Sequence, residues 1–176
     1  MNTQWILNQV FAFIGLIFVV ISFQQKDSKK LIIFRNLATL PIFIGLIIYG
    51  NVSAIIFCGV GAIRNLVALY FAYKPNTNKI YKYIASGILV LTLVILNIIY
   101  WNNYLNIFSI VIGVLAIITF MQTKASAIRK LSVILEVFSI TYYGLLLTPT
   151  NVIIEIIGLT SAIIGIIRLD IKKELK

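Results

Sequence analysis

Three ionisable side chains stand isolated inside long apolar runs of this chain: Arg64, Glu136 and Glu155. The amides of Asn36, Asn65 and Asn97 are similarly placed. A charge among hydrocarbon side chains is costly unless it meets a partner or water, so such residues either brace one another or line a polar cavity. Arg64 and Glu136 have opposite signs and suit either role: a fixed ion pair, or a charged wall that receives a polar solute. Glu155 fits a water-filled vestibule or a carboxylate that snorkels to the surface. The asparagines can each bond a helix backbone or present an amide to a solute.

Other chemistry is poorly served. With no His and one Cys, the chain cannot build an imidazole relay, a Cys–His nucleophile, a structural zinc site or an internal disulfide. The glycines are scattered through apolar runs, with no phosphate loop or dinucleotide fingerprint. No cofactor is implied, and no enzyme is expected. Glu136 and Glu155 are expected at opposite depths, where they could not act on one bond.

The elements that position these residues follow from composition. Apolar residues make up 61% of the chain and charged ones 11%, leaving too few polar side chains to cover a soluble globule. Mean hydropathy is +1.04. A bilayer core of about 30 Å needs about 20 helical residues to cross it, and the chain divides into runs of that length. Backbone groups in hydrocarbon must be satisfied internally, and the alternation of a barrel strand is absent, so the runs read as helices. Seven are expected, over residues 5–23, 31–49, 52–73, 80–101, 103–121, 129–147 and 150–169.

The connections alternate in charge. Lys26, Lys29 and Lys30, then Lys74, Lys79 and Lys82, then Lys124, Arg129 and Lys130, and finally Lys172, Lys173 and Lys176 mark one side. Gly50 with Asn51, residues 101–103 and residues 148–150 are uncharged and mark the other. The positive-inside rule puts the amino terminus outside and the carboxyl terminus in the cytoplasm. Trp5, Tyr49, Tyr100, Trp101, Tyr104, Tyr142 and Tyr143 then form an outer aromatic belt, and Tyr70, Tyr73, Tyr81 and Tyr83 an inner one. The net charge of +10 follows from this topology and suits anionic lipid; no nucleic-acid module is present.

Depth can then be assigned. Arg64 is nine residues from the inner end of its run and Glu136 seven from the inner end of its own, which puts them ~13 and ~10 Å deep at 1.5 Å per residue. They can therefore meet. Glu155 falls ~7 Å from the outer end of the last run by the same rise. Ala54, Cys58 and Ala62, Gly158 with Ala162, and Ser161 with Gly165 recur at four-residue spacing, as residues that let helices approach closely do.

The chain also resembles itself. An offset of 100 brings Lys30-Leu31 onto Lys130-Leu131, Asn51-Val52 onto Asn151-Val152 and Ala62-Ile63 onto Ala162-Ile163. It pairs Asn36 with Glu136 and Asn65 with Gly165; upstream, an offset of 98 pairs Gly15 with Gly113 and Gln24 with Gln122. The expected plan is a three-helix bundle (1–73), a linker helix (74–102) and a second three-helix bundle (103–176). The linker restores the direction of the second bundle, so the repeats are parallel.

That plan resembles the SWEET and PQ-loop proteins and the PnuC vitamin transporters. The steps Ser22-Phe23-Gln24-Gln25 and Thr119-Phe120-Met121-Gln122 are similar to the Pro-Gln motif of that superfamily, though both lack the proline that would hinge the helix. Over its whole length the chain resembles more closely the bacterial inner-membrane YgjV family, notably at Ile63-Arg64-Asn65-Leu66. The resemblance implies a plasma-membrane protein of unestablished activity. Asparagines on the third helix of SWEET bundles face substrate, which singles out Asn65.

Two function classes follow. One is a small-solute transporter or facilitator, its pathway between the bundles lined by Asn65, Arg64, Glu136 and Asn36, with Glu155 toward the outside. The other is a membrane scaffold or partner subunit braced by Arg64 and Glu136. The bilayer is the expected partner, with a small polar solute under the first reading; homo-oligomerisation is left open and nucleic acid is not expected.

Overall fold

The computed structural model describes residues 3–50, 52–74, 76–101, 104–145 and 149–171. Among them the chain is helical throughout: α1 (Thr3–Phe23), α2 (Ser28–Tyr49), α3 (Val52–Tyr73), α4 (Lys79–Ile99), α5 (Leu105–Phe120), α6 (Ala125–Leu145) and α7 (Pro149–Gly165). α7 runs on as a wider π-helical segment, Ile166–Ile171. The expected loop residues Asn51, Asn102 and Asn103, the span end Leu147 with Thr148, and the terminal Lys172, Lys173 and Lys176 lie outside the described residues.

Local chemistry sets the helix ends. The Asp27 carboxylate accepts the Lys29 N–H (3.1 Å) and starts α2, and the Asn78 side chain accepts the Ile80 N–H (3.0 Å) and starts α4. Gly50 stops α2 in the left-handed region, φ 80°, where its N–H reaches the Leu46 and Ile47 carbonyls. Pro41 lies within α2 and has no N–H to give the preceding turn.

The helices pack as α1–α2–α3 and α5–α6–α7, each central helix touching both of its chain neighbours. α4 lies against α3 and α5. Across the middle, α1 packs on α7 and α3 on α5, with a smaller contact between α2 and α6. Close approach depends on small residues: a Cβ at Gly165 would stand 2.6 Å from the Phe23 carbonyl oxygen and 2.9 Å from Arg129 Cδ. Leu93, Ile112, Ile117, Phe120 and Ile128 belong to the main apolar core.

The surface inverts the soluble pattern. Ile17, Leu66, Leu91 and Ile99 are at least 60% exposed, whereas Asn65, Ser132, Asn97, Glu136 and Arg129 are at most 2% exposed. Among the described residues, five helical stretches are long and apolar enough to cross a membrane; α5, at 16 residues, is a shorter apolar helix. Lys29 sits over the Tyr73 ring (4.9 Å) and Lys74 over Tyr70 (5.1 Å), tying basic residues to the aromatic side chains at that end.

One expectation is corrected. α6 begins at Ala125 rather than at Arg129, so Arg129 is a buried helical residue and not a loop cation. Tyr142 is buried and Tyr143 half-buried, so both turn toward neighbouring helices near the end of α6. α4 and α5 also begin and end within two residues of the expected limits, as helix termini commonly do.

Candidate functional site

A cavity of about 120 Å³ lies in the middle of the helices, well above the ~10–15 Å³ that one water needs. α2 contributes Arg35, Ala38 and Thr39; α3 contributes Cys58, Gly61 and Arg64. Ala116 and Phe120 come from α5, Glu136, Ser139 and Tyr143 from α6, and Glu155 from α7. α1 reaches it through Val19, and no lining residue comes from α4. Four ionisable side chains, Arg35, Arg64, Glu136 and Glu155, therefore face one space between the two groups of three helices.

Of the two roles open to Arg64 and Glu136, the structure shows the second: both line the cavity, and they do not pair with each other. Glu136 Oε1 is 3.3 Å from Arg35 Nη2, and Arg64 makes no ion pair within 4.0 Å among the described residues. Arg64 instead donates from Nε (3.0 Å) and Nη2 (2.8 Å) to the Asn65 side-chain oxygen. Asn65 in turn donates to Thr39 Oγ1 at 3.1 Å. Both guanidiniums stack on Phe120, with Arg64 Cζ 4.6 Å and Arg35 Cζ 5.1 Å from its centroid. Depth put Arg64 and Glu136 within reach of each other; the rotation of α3 turned Arg64 onto its own neighbour instead.

The two carboxyl groups also meet. Glu155 stands at hydrogen-bonding reach of Glu136, with Arg35 the basic group acting on it. The expectation of opposite depths fails because α6 starts one turn early, which makes Glu136 a mid-helix residue. Gly158, one turn beyond Glu155 on α7, leaves room for this meeting: a Cβ there would lie 3.6 Å from the Glu136 carboxyl.

The remaining candidates sit outside the lining. Asn65 is fully buried behind Arg64. Asn36 is half-buried and donates to the Ile32 carbonyl (3.2 Å), and Asn97 donates to that of Leu93 (2.9 Å). Arg35 was not singled out by sequence. It stands one turn past Lys29-Lys30 and blends with the cations that mark a helix end. Its Nη1 is buried without a hydrogen-bond partner among the described residues.

A second polar cluster joins the end of α1 to α6 and the end of α7. Arg129 grips Asp170 through two N–H groups, and its Nη1 donates to the Gln25 carbonyl (2.7 Å). Gln24 donates to Ser161 at both its carbonyl (3.0 Å) and its hydroxyl oxygen (3.2 Å). The Gln24 step noted in the sequence thus fastens α1 to α7.

Comparison with known proteins gives one match. The model of the family Imp-YgjV, described as a bacterial inner membrane protein, matches residues 6–173. No curated protein and no solved structure matches the chain.

Proposed function

The chain belongs to the Imp-YgjV family of bacterial inner membrane proteins, and from that premise we propose that it is a small-solute transporter or facilitator. Its solute site is the cavity between two parallel three-helix repeats. The observation that carries this reading is the convergence of Arg35, Arg64, Glu136 and Glu155 on one cavity at the junction of the two groups. A protein that only needed to pack would not retain four ionisable side chains around unfilled space.

The arrangement of repeats is part of the proposal. The α1–α7 contact exchanges with α5–α3 when the two groups are exchanged, as any two-fold axis relating them requires, and in this reading that axis lies along the membrane normal. Thr39 and Ser139, and likewise Arg35 and Leu135, stand at the 100-residue offset and line the same cavity. In this reading all seven helices cross the bilayer, α4 is the linker, and the amino terminus lies outside. The Arg129–Asp170 and Gln24–Ser161 contacts then close the cytoplasmic end. The protein is read as a non-enzyme, with the adjacent Glu136 and Glu155 carboxyls taken as part of the solute site.

Flux through proteoliposomes tests the reading. Vesicles carrying the protein should recover their volume in small polar solutes faster than empty vesicles, and Ala116→Phe, which fills the cavity, should abolish the difference. Equal rates with and without protein would defeat the proposal. One observation favours the scaffold instead: the Arg35–Glu136 pair links α2 to α6 and so braces the two groups together. A scaffold would show no protein-dependent flux at all.

A further inference from the structure

We infer that the cavity is built for a small zwitterion, a molecule of a few heavy atoms carrying one carboxylate and one ammonium, of which a short α-amino acid is the simplest example. The inference rests on the solute-binding reading above and adds the chemical class of the solute.

The argument begins from what the side chains leave undone. In their ordinary charged forms the lining residues balance, Arg35 and Arg64 against Glu136 and Glu155. One opposite pair is already made, between Arg35 and Glu136 at 3.3 Å. Two poles are left over. Arg64 is 7% exposed and is answered by the neutral oxygen of Asn65 and the Phe120 ring, with no carboxylate among the described residues within 4.0 Å. Glu155 makes no ion pair within 4.0 Å among the described residues and is set against a second carboxyl, that of Glu136. Arg35 Nη1 adds a buried donor with no acceptor among the described residues.

The site therefore holds a guanidinium without a carboxylate at one end and, at the other, two carboxyl groups that share a single cation, Arg35. A guanidinium favours a carboxylate, which can take two of its N–H groups at once. Two adjacent carboxyl groups favour an ammonium, whose three N–H donors can serve both. A simple anion would satisfy Arg64 and Arg35 but leave the Glu136–Glu155 contact as it is. A simple cation would do the reverse. A neutral polyol would meet hydrogen bonds but neither charge. One molecule with both charges answers both ends and leaves the cavity neutral, which limits the cost of carrying it through a low-dielectric interior.

Position along the helices agrees. Arg64 is the thirteenth residue of α3, and Glu155 the seventh of α7. In parallel repeats with the outer ends level, these places differ in depth by ~9 Å at 1.5 Å per residue. Arg64 Nη2 reaches back to within 3.6 Å of a Cβ built at Gly61, so the charged groups are offset by less than their backbones, with Arg64 on the inner side of Glu155.

The test uses full-length protein in lipid nanodiscs and three probes of equal carbon number: L-alanine, propionate and propylamine. L-alanine should raise the unfolding temperature with an apparent affinity at least about tenfold above either single-charge probe. Arg64→Gln should move the preference to propylamine, and Glu155→Gln should move it to propionate, each scored against that variant's own ligand-free transition. A role confined to bracing would lower stability without switching preference. Should a glutamine variant fail to fold, Arg64→Lys and Glu155→Asp should keep the L-alanine preference at reduced affinity. Propionate or propylamine matching L-alanine in the parent protein, or no response to any probe, would overturn the inference. L-alanine binding without L-alanine flux would sink the transporter reading and leave the ligand class standing; flux of another solute without L-alanine binding would do the opposite.

Discussion

Glu136 is held from two sides by groups of opposite effect. Arg35 attracts it across 3.3 Å, and the Glu155 carboxyl crowds it from α7. At 1% exposure it has almost no water to fall back on. Removing Arg35 alone (Arg35→Leu) should therefore destabilise the fold by ~3–5 kcal/mol, because it strands a buried carboxylate beside another. Arg35→Leu with Glu136→Leu should recover most of that loss, read by thermal unfolding in detergent. If the double variant is as unstable as the sum of the singles, the pair is not the coupled unit described. Asn65 makes a smaller but separate contribution. Asn65→Leu should cost ~1–3 kcal/mol, since it leaves two Arg64 donors and Thr39 without their partner. At this scale the sequence was informative about which residues matter and poor about whom they meet. Arg64, Glu136 and Glu155 announce themselves as charges in apolar runs. Arg35 does not, because cations near helix ends are ordinary. Choosing Glu136's partner between Arg35 and Arg64 depends on helix rotation, and depth counted in residues carries no information on rotation.

Among the elements, one turn of α6 decides much of the site. Starting the helix at Ala125 pulls Arg129 into the interior, where it ties together α1, α6 and the π-helical end of α7. The basic residues around it made that segment look like a cytoplasmic loop, and only the presence of Asp170 and the Gln25 carbonyl makes a buried arginine tolerable there. Asp170→Leu should thus be costly, ~3–5 kcal/mol, whereas Asp170→Asn, which keeps a hydrogen-bond acceptor, should cost less. The same junction is sensitive to size. Gly165→Val should destabilise by ~1–3 kcal/mol, as its side chain meets the Phe23 carbonyl, a backbone atom that cannot swing aside. Denaturant midpoints of the three variants in one detergent would order them; a Gly165→Val protein as stable as the parent would mean that α1 and α7 are not pressed together here. The four-residue spacing of Ser161 and Gly165 made this contact legible in advance, since small residues repeating along one face have little other purpose in a membrane helix.

For the whole molecule, the helical character and the apolar stretches, five of them among the described residues long enough to cross a membrane, were readable because bilayer thickness sets the length of an apolar helix. The cavity was not readable, because it is a gap left by six helices and belongs to none of them. The arrangement of repeats lies between these cases and makes a sharp prediction. If α4 is a crossing helix, both triplets insert in the same sense, and the two ends of the chain lie on opposite sides. A fluorescent protein that matures only in the cytoplasm, fused after Lys176, should glow, and an alkaline phosphatase fused after Lys79 should be inactive while one fused after Tyr100 should be active. The last comparison isolates α4, since its two fusion points differ by that helix alone. Equal phosphatase activity at the two points would mean that α4 does not cross, that the triplets are inverted to one another, and that Arg64 does not lie on the inner side of Glu155 along one route through the membrane.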